Sequence, residues 1–400
     1  MDNKNGQRQI AGDAVSSPSP AVKHHGLHGG DIISASAQYQ LAIEDWIDLS
    51  TGLNSDSYPL PNIPASVFQH LPYLQPEFIS AATSYYGSEL GIPIIGSQML
   101  IQRLPQCVAR YPVLLPDIGY SEHRDSWRND GFELHYYPAK NHRQAIASIS
   151  QAIGANPKQH LVVINPNNPS GLLIAPEQLI AWAGQLAAGC YVIVDEAFMD
   201  MTPQCSVLNY HWPDNMLVLR SFGKFFGLAG IRIGFVFCQA ELRAKIEQQL
   251  GLWMINGPAQ YIATKAMLDT HWQQLARGNI DSAAKQTREL CAPLLVKVAS
   301  LVAADKAFVA ANSELGRGIP WQVEQALFSS YLLPLALALA IQQHFAKAAI
   351  LLRVIHLENQ AVDTAILRIG VLGLNDREGH QRLAECILQF CKKSVLAIEY

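Results

Sequence analysis

The chain has 400 residues, 49% apolar and 16% charged, enough to bury one large core or two domains. A formal charge of −4 and a pI near 6.3 give no basis for nucleic acid or an anionic membrane as partner. Seven cysteines, an odd number without paired metal-ligand spacing, read as reduced thiols of a cytoplasmic protein rather than a disulfide frame or a metal site.

Residues 1–25 are rich in Ser, Pro, Gln and Gly and lack periodic apolar positions, so a disordered tail is expected. No apolar core of a signal peptide appears in it. His24, His25 and His28 lie close together, which suits a solvated tail better than a metal tract. A His-Gly-Gly-Asp run at 28–31 precedes a helical pattern through Tyr39. Residues 47–54 read as a strand ending in the polar turn Ser-Thr-Gly-Leu-Asn. Prolines at 59, 61, 64, 72 and 76 mark an irregular region before a helix over 77–86.

Gly96-Ser97-Gln98 opens an apolar-periodic stretch that predicts a helix over 99–109 with Ser97 as its N-cap. A helix N-terminus there offers free N–H groups to a phosphate. A strand at 113–115 leads through Pro-Asp-Ile-Gly-Tyr-Ser-Glu-His into a helix. His123 stands one turn from Tyr120 and faces the same way. Residues 161–164 read as a strand, 165–171 as a turn-rich loop, 176–188 as a helix and 191–194 as a buried strand. Such units imply a parallel sheet with covering helices. Ligands in these sheets bind at the carboxyl ends of strands. Asn168, Asp195 and Lys224 all follow strand ends and are therefore expected to converge on one crevice.

The most informative stretch is Arg-Ser-Phe-Gly-Lys-Phe-Phe-Gly-Leu-Ala-Gly-Ile-Arg at 220–232, between apolar runs at 216–219 and 233–238. A lysine among phenylalanines is costly to bury charged, so the Lys224 amine should become nucleophilic and competent to form a Schiff base. Ser221 and Arg232 flank it and suit a dianionic phosphate. An aldehyde that carries a phosphate is pyridoxal 5′-phosphate (PLP). A helix over 241–250 follows, then one long helical stretch over about 259–300. Residues 303–327 carry no clear pattern. A strand–helix–strand pattern resumes over 332–355, and an apolar strand at 365–370 contains one arginine, Arg368. A buried arginine needs a partner, and its planar fork suits a substrate carboxylate. The most apolar run, 331–341, is interrupted by Pro334 and is too short to span a bilayer.

The 220–232 wording resembles the Schiff-base signature of fold-type I PLP enzymes of the aminotransferase class. It is most similar to the threonine-phosphate decarboxylases of cobalamin synthesis. Asn-Pro-x-Gly, Asp-x-x-aromatic and Ser-x-x-Lys with Arg232 eight residues on repeat the family's constellation over roughly 26–300 and 328–395. The resemblance implies an α/β fold: a large domain with a mostly parallel seven-stranded sheet and a smaller α+β domain. The chain then divides into a tail at 1–25, an N-terminal segment at 26–75, a PLP-binding domain at 76–275, and an interdomain helix with the small domain at 276–400. It implies a homodimer acting on a small phosphorylated amino acid.

Residue by residue, the resemblance puts Gly96, Ser97, Gln98, Ser221 and Arg232 at the PLP phosphate and stacks Tyr120 on the pyridine. Asp195 pairs with the pyridine nitrogen, supported by His123. Asn168 donates to the phenolic oxygen, and Lys224 holds the aldehyde. Arg368 meets the substrate carboxylate, and His28 and Asn54 the substrate phosphate. Two positions depart from the pattern. Leu71 stands where many relatives carry a tyrosine that reaches the partner subunit's cofactor, with Tyr73 nearby. Phe198 replaces the tyrosine usual in aminotransferases, which favours decarboxylation of O-phospho-L-threonine over histidinol-phosphate-type transamination. A PLP-binding transcription regulator would need a DNA-binding domain, for which some 25 polar residues before His28 are too few.

Overall fold

The computed structural model describes residues 28–312, 319–358 and 360–393. The expected disordered tail at 1–25, with His24 and His25, lies outside the described residues, as does the middle of the uninterpreted 303–327 stretch.

After the short β1 (Ile47–Asp48), seven strands build the main sheet: β2 (Gly91–Ile94), β3 (Val113–Pro116), β4 (Leu134–Tyr137), β5 (His160–Ile164), β6 (Val192–Asp195), β7 (Met216–Ser221) and β8 (Gly234–Cys238). Their order is β2-β8-β7-β6-β5-β3-β4, parallel from β7 to β4, with β8 antiparallel to β7 and β2. The central strands are apolar along their length because both faces are covered. Val163, Val194 and Val218 enter one buried cluster, and Val162, Ile193 and Leu217 the cluster on the other face. The register sets Ile164 opposite Asp195 and Asp195 opposite Leu219, so the carboxyl ends of β5, β6 and β7 stand in a row.

A second sheet follows in the chain: β9 (Gln322–Glu324), β10 (Phe328–Pro334), β12 (Arg353–Leu357) and β13 (Thr364–Gly370), antiparallel in the order β12-β13-β10-β9, while β11 (Ile350–Leu351) pairs with β1. This α/β architecture, with a mostly parallel seven-stranded sheet and a smaller sheet, is the one expected from the sequence.

The helices are α1 (Ile32–Tyr39), α2 (Ser66–Gln69), α3 (Pro76–Tyr86), α4 (Gly96–Arg103), α5 (Ser121–Asn129), α6 (His142–Ala155), α7 (Pro176–Ala183), α8 (Ala240–Gln249), α9 (Gly257–Leu268), α10 (Thr270–Ala304), α11 (Lys306–Ala311), α12 (Leu335–Ala346) and α13 (Arg377–Lys392). Three differ from expectation. The helix predicted over 99–109 begins earlier, at Gly96, and ends at Arg103, where Pro105 helps turn the chain into a 3-10 segment. Ser97 is therefore inside the first turn, not its N-cap, and no side chain caps that end. The helix expected to Ala188 stops at Ala183, with Gly184 at its cap. The single helix expected over 259–300 is two, α9 and α10, separated at Asp269, whose Oδ1 accepts from the Trp272 N–H at 2.9 Å and starts α10 afresh. Among the described residues no helix is long and apolar enough to cross a membrane.

Candidate active site

The floor of the site is the row of carboxyl ends on β5, β6 and β7. Asp195 closes β6 and is buried. Its Oδ1 accepts from the Ala197 N–H at 3.0 Å, and its Oδ2 lies 3.0 Å from His123 Nε2 on α5. Lys224 follows β7, with Nζ 5.4 Å from the centre of the Phe198 ring. Burial lowers the Lys224 pKa to about 8, and the nearby Arg368 adds to the effect. A substantial neutral fraction near pH 8 makes this amine a nucleophile.

One end of the cleft is formed by the first turn of α4 and by Ser221 and Arg232. Gly96 begins α4 at φ +65°, and a Cβ there would meet Arg232 Nη2 at 2.8 Å. A Cβ on Gly234 would meet the Ser97 nitrogen at 2.8 Å. Glycine at both places lets a guanidinium and a helix N-terminus share one small volume. Tyr120 lines the same cleft and donates its hydroxyl to Gln98 Oε1 at 2.8 Å. Burial, aided by Glu122, pushes the Tyr120 pKa up to about 12, so its phenol stays protonated.

The opposite wall comes from the second sheet. Arg368 of β13 and Arg353 of β12 are register partners, and both line the cleft. Arg368 donates through Nη1 to Asn168 Oδ1 at 2.5 Å and through Nη2 to the Ser50 carbonyl; its buried Nε has no hydrogen-bond partner among the described residues. Desolvation lowers both guanidiniums to about 10, and Arg353 contributes to the lowering at Arg368. His28, Gly29, Thr51 and Gly52 complete the mouth.

Of the twelve residues expected from sequence to touch cofactor or substrate, eleven line one cleft: His28, Gly96, Ser97, Gln98, Tyr120, Asn168, Asp195, Ser221, Lys224, Arg232 and Arg368. Asn54 does not. Its N–H donates to the Lys224 carbonyl at 3.0 Å and its Nδ2 to the Phe225 carbonyl at 3.1 Å, while its Oδ1 accepts from the Asp56 N–H at 3.0 Å. With its polar atoms so engaged, Asn54 clamps the loop that carries Lys224 and faces no ligand. Leu71 and Tyr73 also stay outside the cleft; both are exposed, and Tyr73 packs edge-on against Trp253. Arg353 was not anticipated. The signal that singled out Arg368, an arginine in an apolar run, is present at 350–355 as well.

The aminotransferase class I and II family model matches residues 64–348. The chain belongs to that family. Among relatives, a threonine-phosphate decarboxylase of Pseudomonas aeruginosa is 38% identical over 266 residues, which cover 66% of this chain and 77% of that protein. Solved family folds agree. A histidinol-phosphate aminotransferase from Sinorhizobium meliloti in complex with pyridoxal-5′-phosphate superposes with TM-score 0.67 at 17% identity, covering 94% of this chain and 99% of that one. An L-threonine-O-3-phosphate decarboxylase from Porphyromonas gingivalis gives TM-score 0.60 at 14% identity, covering 86% and 99%.

The residues present in this aminotransferase-family cleft fit PLP. The glycine-lined end with Ser97, Ser221 and Arg232 suits a phosphate. The buried Asp195 carboxylate, backed by His123, suits a protonated ring nitrogen. Tyr120 offers an aromatic face, and Lys224 an amine of lowered pKa for the aldehyde.

Proposed function

We propose that the protein is a PLP-dependent decarboxylase of O-phospho-L-threonine, yielding (R)-1-amino-2-propanol O-2-phosphate and CO2 for the cobalamin side chain. One observation carries the reading within the family: two desolvated guanidiniums, Arg353 and Arg368, share the cleft with Lys224. Two such cations match a substrate with two anionic groups, a carboxylate and a phosphate. The names of the 38% identical relative and of the Porphyromonas gingivalis structure support the same substrate.

When bound, PLP supplies an aldehyde for the substrate amine and a ring that takes up the electron pair left as the Cα–carboxylate bond breaks. Ser97, Ser221, Arg232, Gly96 and Gln98 hold its phosphate end. Tyr120 would offer its aromatic face to the ring, and Asp195 would keep a proton on the ring nitrogen. Asn168, whose Oδ1 accepts from Arg368, has Nδ2 that could donate to the phenolic oxygen. Arg368 orients the substrate carboxylate, and Arg353 with His28 takes the phosphate. Binding energy from that remote phosphate would be available to orient the bond that breaks. Lys224, in its ammonium form, would give Cα the proton that replaces CO2. Phe198, lacking a hydroxyl, leaves the phenolic oxygen to Asn168.

The reading includes a cytoplasmic homodimer. Supporting the dimer, Phe68, Leu71, Tyr73, Leu252 and Trp253 are exposed on neighbouring segments. Light scattering that gives a monomer mass would remove the dimer. The test of the reaction is CO2 release from phosphothreonine with and without 2-oxoglutarate. Release without the oxo acid is expected, with unphosphorylated threonine a poor substrate. Consumption of 2-oxoglutarate with no CO2 would replace the reading by a histidinol-phosphate-type aminotransferase.

A further inference from the structure

Glu122, in the first turn of α5, is a hub at the cleft mouth. Its Oε2 accepts from Gln98 Nε2 at 2.5 Å and from Gln102 Nε2 at 3.2 Å, and its Oε1 lies 2.9 Å from His28 Nε2. Two consequences follow from these contacts. With its Nε2 committed to Glu122, the Gln98 amide presents Oε1 to the Tyr120 hydroxyl, which donates to it at 2.8 Å. The direction of the Tyr120 O–H is therefore set by a carboxylate two hydrogen bonds away. His28, in turn, lies against Tyr120, with ring centres 5.9 Å apart, and lines the cleft.

The strap that carries His28 has a second anchor on the other wall. The Gly30 N–H donates to Ser50 Oγ at 2.7 Å, and the Ser50 carbonyl accepts from Arg368. A Cβ on Gly29 would come within 2.3 Å of the same carbonyl, so the strap lies close against it. Residues 28–30 thus run from Glu122 on the main-sheet side to Ser50 and Arg368 on the second-sheet side.

We propose that Glu122 is a positioning residue that latches this strap across the cleft and, through Gln98, orients Tyr120. The effect on turnover rests on the decarboxylase reading; the latch itself does not. A hydrogen bond to a charged group contributes enough that Glu122→Ala should raise KM for phosphothreonine about tenfold, with kcat changed by less than about threefold. Glu122→Gln, which keeps an acceptor, should fall between. Because His28 and Glu122 act as one unit, the double variant His28→Ala/Glu122→Ala should be no worse than about twofold beyond the weaker single variant. Losses that multiply, or a loss carried by kcat alone, would overturn the coupling.

A second measurement needs no substrate. Backbone hydrogen exchange at 29–31 in the holoenzyme should speed up at least about tenfold in Glu122→Ala, and less in Glu122→Gln, with the melting temperature unchanged. Unchanged exchange overturns the latch even if phosphothreonine is decarboxylated. Faster exchange in a protein that leaves phosphothreonine untouched upholds the latch and overturns the substrate reading instead.

Discussion

Arg220 and Arg368 are both buried arginines near the carboxyl end of the main sheet, and their surroundings are opposite. Arg220, one residue before the cleft-lining Ser221, donates to Glu196 at 3.0 Å, to Ser206 at 3.2 Å and to Asp200, and lies over the Tyr86 ring. Burial works against its charge, but Asp200 and Glu196 more than offset that, and its pKa is raised. Among the described residues Arg368 donates to neutral oxygens, of Asn168 and Ser50, shares its wall with Arg353, and has its pKa lowered to about 10. A compensated arginine holds the fold together. One left short of negative charge is poised for an anionic ligand.

The largest effect expected from breaking this contrast is at Arg220. Arg220→Met strands two buried carboxylates and should cost about 3–5 kcal/mol of unfolding free energy. Urea denaturation monitored by fluorescence measures it, and a loss below about 1 kcal/mol would make the two arginines alike. Arg368→Gln should do the reverse. We expect kcat/KM to fall about a hundredfold, or ~2.7 kcal/mol of transition-state stabilisation. The melting temperature should hold or rise, because a poorly compensated cation has been removed; a drop of several degrees would assign Arg368 to the fold.

A third test uses pH. Folding lowers the Lys224 pKa to about 8, below the ordinary lysine value, so between the two the unfolded chain binds a proton that the folded protein has released. Stability from this group therefore rises with pH above 8. In cofactor-free protein the stability advantage of Lys224→Met over wild type should shrink, by on the order of 2 kcal/mol, as pH goes from 8 to 10. A constant difference would mean that Lys224 titrates normally. The smallest effect is expected at Phe198. Phe198→Tyr adds a hydroxyl beside Lys224 and should change kcat by less than about threefold, under ~0.7 kcal/mol, in a CO2-release assay.

The main-sheet wall was legible in the sequence because β5, β6 and β7 each lead into a loop with one functional side chain at or shortly after the strand end. Asn168, Asp195 and Lys224 could be aligned before any distance was known. The α4 end was partly legible. The sequence marks Gly96, Ser97 and Gln98, but it does not reveal that Gly96 turns through positive φ and starts the helix itself, which moves Ser97 off the cap. Asn54 is assigned to the substrate phosphate by resemblance alone, and its bonds to the Lys224 and Phe225 carbonyls, which join distant stretches of chain, make it a backbone clamp instead. Arg353 also stands in an apolar run, but β12 is only partly covered over most of its length, and its register beside Arg368 on β13 is not written in local sequence. Contacts such as Glu122 to His28 join residues 94 positions apart, a separation that local pattern does not encode.

The pairing of Arg353 with Arg368 has a consequence for how recognition can be measured. Two neighbouring cations in one cleft make folding and anion binding linked equilibria. Any dianion that fits should raise the melting temperature, by an amount equivalent to about 2.7 kcal/mol at a hundred times its dissociation constant. Inorganic phosphate, phosphothreonine and threonine can therefore be ranked from melting curves alone, and phosphate buffers will act as competitors of the substrate.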